Sequence, residues 1–250
     1  MKKSVLVLTL LIVVTACTSM PTALPTAVGA PLVTTKPSTT NTPMPTCTFT
    51  PEPSLTPTIT NTPTLPASFI LQDFTAHKQL LALDCESAAA VDWASYLGKT
   101  IDEYEFQHGL PISDNPNIGF VGYSTGPWGQ VPPYAYGVHA GPIADRLQQY
   151  GLNAVAVKGT TLDQVKRELV AGRPVIAWVI GNCVGGIPYE YTDKQGNKVT
   201  VAAYEHVIIL YGFDGDNLYY FNAGKRYIIP SAVFQNSWGV LGNMVIVLGN

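Results

Sequence analysis

Gln79, Cys85, His206 and Asn222 have the types, order and spacing that nucleophilic amide chemistry requires. Cys85 opens a predicted helix, where free N–H groups and the helix dipole favour a thiolate over a thiol and so create a nucleophile. Asp84 and Glu86 flank it and oppose that effect with negative charge, so a cationic imidazole partner has to outweigh them. Gln79 stands near enough upstream to return its side-chain amide to the sulfur. Together with the Cys85 backbone N–H it would form a pair of donors for an oxyanion. His206 begins the apolar stretch Val207-Ile208-Ile209-Leu210, from which a neutral imidazole can take the thiol proton and later pass it to a leaving amine. Asn222 ends the next strand across a tight hairpin, where its amide would fix the imidazole tautomer. A helix-start cysteine alone is more often a small core residue. The four residues taken together favour catalysis.

The elements that must position these side chains are readable from pattern. Cys85 to Leu97 reads as a helix with Asp84 as its cap, Ala88-Ala89-Ala90 favouring it and Gly98 ending it. Helices are also expected over 101–108, 143–150 and 161–171, the last capped by Thr161. Strands are expected over 153–158, 174–180, 198–203, 206–213, 217–222, 227–229 and 244–248. The stretch 115–142, rich in Gly, Pro, Tyr and Trp, reads as a long loop. Helices first and a mostly antiparallel sheet after them make an α+β fold, with the nucleophile helix packed on the sheet.

Upstream of that domain the chain has a different character. Lys2 and Lys3, an apolar run over 5–14 and Val14-Thr15-Ala16-Cys17 give 1–17 the pattern of a signal peptide closed by a lipobox, with Cys17 as the lipidated residue. The apolar run is shorter than the roughly 20 residues a membrane-spanning helix needs. Residues 18–66 are dominated by Thr and Pro, with Lys36 and Glu52 their only charges. Proline removes donors and fixes φ, so a disordered, solvated, polyproline-rich stalk is expected, reaching at most roughly 150 Å at about 3.1 Å per residue. Cys47 lies within it and is expected to be free or intermolecularly paired. The folded domain then covers 67–250.

Gln79-x₅-Cys85, the run Glu205-His206-Val207-Ile208-Ile209-Leu210-Tyr211-Gly212-Phe213-Asp214, and Tyr219-Tyr220-Phe221-Asn222 resemble the papain-like cysteine peptidase superfamily. The chain is most similar to its bacteriocin-leader (double-glycine) peptidase-like branch, over residues 69–250. Segments 115–122 and 141–147 share that likeness. The resemblance implies a papain-like α+β fold, a Cys85–His206–Asn222 triad and Gln79 as oxyanion donor. Two departures stand out: Asn222 replaces the commoner Asp, and Ala223 follows where Pro is usual. No transporter region accompanies the domain, so a dedicated bacteriocin exporter is not expected.

Net charge of -3 without a basic cluster beyond Lys2–Lys3 leaves no electrostatic footprint for nucleic acid. No two of the four cysteines form a C-x-x-C pair, against a zinc ribbon or a thioredoxin-type motif. Cys183 falls in a Gly-rich turn, away from Cys85, and Asp214-Gly215-Asp216-Asn217 reads as a hairpin turn, not a calcium loop. His77 and His108 read as solvated surface residues, His139 as structural or substrate-facing without a partner, and Trp128, Tyr134 and Tyr136 as groove or core. The expected activity is hydrolysis of a peptide or protein amide bond outside the cytoplasm, at a membrane or cell surface, by a lipid-anchored protein. This chemistry requires no cofactor and no metal. A cell-wall amidase or acyl transferase with the same apparatus, and an inactive peptide-binding module, remain as rival readings.

Overall fold

The computed structural model describes residues 64–249. The expected signal peptide, Cys17, Cys47 and all but the last three residues of the expected stalk lie outside the described residues. Within them the order of elements is β1 Ser68–Ile70, α1 Cys85–Tyr96, α2 Glu103–His108, α3 Ala140–Gln149, β2 Ala154–Val157, α4 Leu162–Val170 and β3 Val175–Ile180. There follow β4 Tyr189–Thr192, β5 Lys198–Val201, β6 Glu205–Asp214, β7 Asn217–Asn222, β8 Lys225–Pro230, α5 Ser231–Gly239 and β9 Val245–Leu248. The helical first part and antiparallel sheet match the expected α+β fold.

Seven strands form one sheet in the order β2-β9-β3-β6-β7-β8, with β1 also paired to β6 and every pairing antiparallel. β6 is long enough to hold two partners on one side. Its first part pairs β3, from Ile180↔Glu205 to Val175↔Leu210, and its last part pairs β1, from Ile70↔Gly212 to Ser68↔Asp214. β3 is buried along its whole length and β6 along nearly all of it, which explains their unbroken apolar sequence. β4 and β5 form a separate hairpin, whose Val199 and Val201 share a small core with Val121 and Tyr136 of the long loop.

α1 is the central helix. Every residue from Cys85 to Ala94 except Asp92 is buried, so it is covered on more than one face, which suits a run of small alanines. Indole N–H groups tie this helix and its neighbours to the sheet connections: Trp93 donates to the Pro174 carbonyl at 2.8 Å and Trp178 to the Val138 carbonyl at 3.0 Å. Both rings are fully buried, so each polar tip needs such a partner.

Four expectations are revised. α3 starts at Ala140, three residues earlier than predicted, because Pro142 falls in the first turn, where no N–H partner is required. α5 was not expected, and neither were the short strands β1 and β4. Asp84 occupies the N-cap position of α1 but makes no capping bond; its Oδ2 instead accepts from the Leu81 N–H at 2.8 Å. Thr161 does cap α4, in a reciprocal box with Gln164. Trp178→Ala should cost about 3–5 kcal/mol of stability, through the lost indole volume and an orphaned Val138 carbonyl, measured as a lowered urea midpoint with unchanged m-value.

Candidate active site

The first turn of α1 meets the start of β6, and one cleft of about 320 Å³ opens there. Gln79, Ala82, Cys85, Trp128, Gly181, Asn182, His206 and Asn222 line it. All four residues singled out from the sequence therefore share one cavity, although they come from three separate parts of the chain. A second void of about 20 Å³, room for one water, lies behind them against Ala88, Ala89 and Val207.

The imidazole is fixed from one side. His206 Nε2 lies 2.7 Å from Asn222 Oδ1. The Asn222 amide nitrogen donates to Asn182 Oδ1 at 2.8 Å, and the Tyr220 hydroxyl donates to the same oxygen at 2.9 Å. With its nitrogen committed to Asn182, Asn222 presents its oxygen to the ring, so Nε2 carries the proton and Nδ1 is the nitrogen left to accept one. Asn182 is held in place by an unusual backbone: Gly181 and Cys183, on either side, have φ of 50° and 57°. Trp128 closes the top of the site, donating from its indole to the Glu205 carbonyl at 3.0 Å and standing edge-on to His206 at 6.1 Å.

Asn222 follows from β7 into a two-residue turn in which Ala223 and Gly224 both have positive φ, 46° and 76°. This is the pattern of a type I′ hairpin. Proline is locked near −65° and cannot occupy that conformation, which accounts for its absence at this position.

The sulfur lies in an acidic surrounding. The Cys85 thiol donates to Glu86 Oε2 at 3.2 Å, and an oxygen of each of Glu86 and Glu205 lies with the sulfur inside a span of 4.8 Å. Glu86 Oε1 accepts from the Val138 N–H at 2.6 Å, in space that exists because residue 137 is glycine; a Cβ there would collide with that oxygen. Burial, then Glu86 and Glu205, pushes the thiol well above its ordinary pKa. Burial, then Glu86, raises Glu205 as well, favouring a protonated carboxyl that removes the like-charge repulsion. Burial lowers His206, against the Asn222 bond that raises it. Burial first, and the neighbouring carboxylates after it, thus favour the thiol form of Cys85, and burial favours the neutral form of His206.

Gln79 lines the cleft, and its amide nitrogen donates to the Leu81 carbonyl at 2.9 Å and to the Ala82 carbonyl at 3.4 Å, so an oxyanion would have to draw it away from the weaker of these two bonds. Other expectations resolve individually. Cys85 and Cys183 are both free thiols. Trp128 lines the cleft, Tyr136 is core and Tyr134 is exposed. His139 is buried and paired, its ring nitrogens 2.7 Å from Asn117 and 3.3 Å from Tyr136, and burial lowers its pKa to about 3; the expectation of a residue without a partner was wrong. His77 is exposed, as expected, but it is not a bystander, since its ring bonds both Asp92 and Glu103. Asn182, Glu205 and His77 are site residues that sequence reasoning missed, each a single polar residue without a local pattern.

The Peptidase_C39-like family model matches residues 71–246, most of the chain and all of this cleft. The chain belongs to the Peptidase_C39-like family. A Bacillus anthracis protein assigned as a C39-like peptidase superposes with a TM-score of 0.64 at 23% identity, over 73% of this chain and 98% of that one, and so shares the C39-like fold. The peptidase domain of Streptococcus ComA, a bifunctional ABC transporter of quorum sensing, gives 0.42 at 14% identity over 71% and 99% of the two chains. Xylellain, a cysteine protease of Xylella fastidiosa, gives 0.41 at 12% over 75% and 87%. No curated protein matches the chain. A C39-like peptidase fold implies a peptide or protein substrate.

Glu86→Gln keeps the shape and the acceptor for Val138 but removes the charge beside the sulfur. It should lower the thiol pKa and speed iodoacetamide alkylation at pH 7 several-fold, read by peptide mass at Cys85. For the parent chain the rate should still be climbing between pH 7 and 9, because a raised thiol pKa delays the thiolate.

Proposed function

We propose that the chain is a cysteine peptidase that works by a Cys85–His206–Asn222 mechanism outside the cytoplasm, on a lipid anchor at Cys17. The observation that supports it best is the cleft in which the Cys85 sulfur and a tautomer-fixed His206 face the same space as Gln79. Substrate entering that space displaces the thiol from Glu86; as the sulfur attacks the scissile carbonyl carbon, its proton passes to His206 Nδ1. The carbonyl oxygen gains the negative charge, and the Gln79 amide with the Cys85 backbone N–H receives it. The imidazolium, steadied through Nε2 by Asn222, then protonates the amine as the C–N bond breaks and a thioester remains. Water attacks that thioester, gives its proton to His206 and releases the acid, and the thiolate recovers the proton.

Cys85→Ala should lower turnover by about 10⁴-fold or more, the scale seen when a nucleophile is removed, with an unchanged melting temperature. Undiminished hydrolysis would end the assignment. The thiol's bond to Glu86 and its raised pKa also support a second reading, a peptide-binding module that has kept the fold without turnover. That reading requires the parent chain to bind peptide without hydrolysing it at any pH. Muropeptide substrates separate a peptidase from a cell-wall amidase. Two or three acyl chains, at about 0.8 kcal/mol per buried CH₂, suffice for stable anchoring. In the native host Cys17→Ser should therefore move the chain from the membrane pellet to the soluble fraction, and an unchanged distribution would refute the anchor.

A further inference from the structure

Gln79 sits on an arm, residues 71–84, that has no helix or strand of its own between β1 and α1. An oxyanion donor is useful only if it is held in place before the charge develops. The ends of the arm are held by the Leu71–Tyr211 and Leu83–Ser124 backbone bonds, and the part around Gln79 by a cluster centred on His77 and Glu103. The His77 backbone N–H donates to Asp92 Oδ2 at 3.0 Å and its ring Nδ1 lies 2.6 Å from Asp92 Oδ1. Its Nε2 meets Glu103 Oε2, while Glu103 Oε1 accepts from the Leu80 N–H at 2.9 Å. The residues on both sides of Gln79 are thus joined through one buried carboxylate.

The two carboxylates belong to the helices that flank the site: Asp92 lies two turns along α1 from Cys85, and Glu103 begins α2. Glu103 is not used as a helix cap, since Asp102 fills that role. The arm is pressed from the third side by the β7–β8 turn, where a Cβ on Gly224 would stand 2.8 Å from the His77 carbonyl carbon. His77 also lines the small void shared with Gln79, Cys85 and His206. Burial works against its charge, yet the bonds to Asp92 and Glu103 prevail and hold its pKa above the usual value, so the bridge favours the imidazolium.

We infer that His77 is a positioning residue for the oxyanion donor: by bridging Asp92 of α1 to Glu103 of α2 it sets where the Gln79 amide stands relative to the Cys85 sulfur. The inference rests on the proposed role of Gln79. It makes His77 act through another residue, so its effects should disappear when that residue is gone. It also separates two reactions of the same sulfur. Peptide hydrolysis builds charge on an oxygen, whereas alkylation by iodoacetamide is a displacement at a saturated carbon and uses no oxyanion donor.

The test uses the full chain and the best peptidyl-aminomethylcoumarin substrate from a positional library. His77→Ala should lower kcat about 10- to 100-fold, the scale of a misplaced or lost oxyanion donor, with KM changed less than threefold. Iodoacetamide alkylation of Cys85 should stay within twofold of the parent rate. In a Gln79→Ala background, where kcat is already reduced, adding His77→Ala should cost nothing more. Asp92→Asn, which keeps the side-chain shape and one acceptor, should give a smaller loss with the same non-additivity, and it serves where His77→Ala does not fold. Losses that multiply in the double variant, or a His77→Ala enzyme with normal kcat beside a slowed Gln79→Ala enzyme, would overturn the inference. Normal kcat in Gln79→Ala would instead remove the oxyanion role itself and leave the assignments of Cys85 and His206 standing.

Discussion

The contact between the first turn of α1 and the first residues of β6 is the constraint from which the site follows. It brings a sulfur and two carboxylates together in a place that water scarcely reaches, with the half-buried His206 imidazole on the cleft side. Burial on this scale penalises every charged form, so the pKa values of Cys85, Glu86 and Glu205 are all raised, and Glu205 Oε1 is left without a hydrogen-bond partner. The Glu86–Val138 bond, the missing Cβ at Gly137 and the raised pKa of Glu205 all bear on that one demand. The cleft face of the same seam is organised differently. There Asn222, Asn182 and Tyr220 form a chain of neutral polar groups that ends on one proton position of His206.

Much of the fold was legible because its central strands are apolar without interruption and its turns carry their own chemistry. The β3 and β6 runs, the Gly215-Asp216 turn and the Thr161–Gln164 box are local signals, and the structure follows them. What escaped were features whose cause is distant. α5 mixes Ser, Asn and Gly with aromatics and gains its helix from burying Phe234 and Trp238 on the sheet. The start of α3 was hidden because Pro142 reads as a breaker except in a first turn.

The candidate site divides in the same way. Gln79, Cys85, His206 and Asn222 could be picked out because their order matches a known chemistry, and they do line one cleft. His77 could not, since its partners lie 15 and 26 positions away in helices that give no sign of needing a histidine. Asn182 depends on positive φ at Cys183, a conformation no residue type announces. The charge balance at the thiol was also only half readable. Glu86 was visible as an opposing neighbour, but the arrival of Glu205 beside it required the sheet to form.

β1 has a mechanical meaning. Whatever precedes residue 64, tension applied there enters the domain through Ser68–Ile70, which is held to β6 by three residue pairs, with the Gly215–Ala67 and Leu71–Tyr211 backbone bonds beyond them. The arm bearing Gln79 comes next along the chain, followed directly by the helix bearing Cys85. That short strand is therefore the strain relief of the domain: while it stays paired, a tug on the leading segment stops at the sheet and does not reach the helix that carries Cys85.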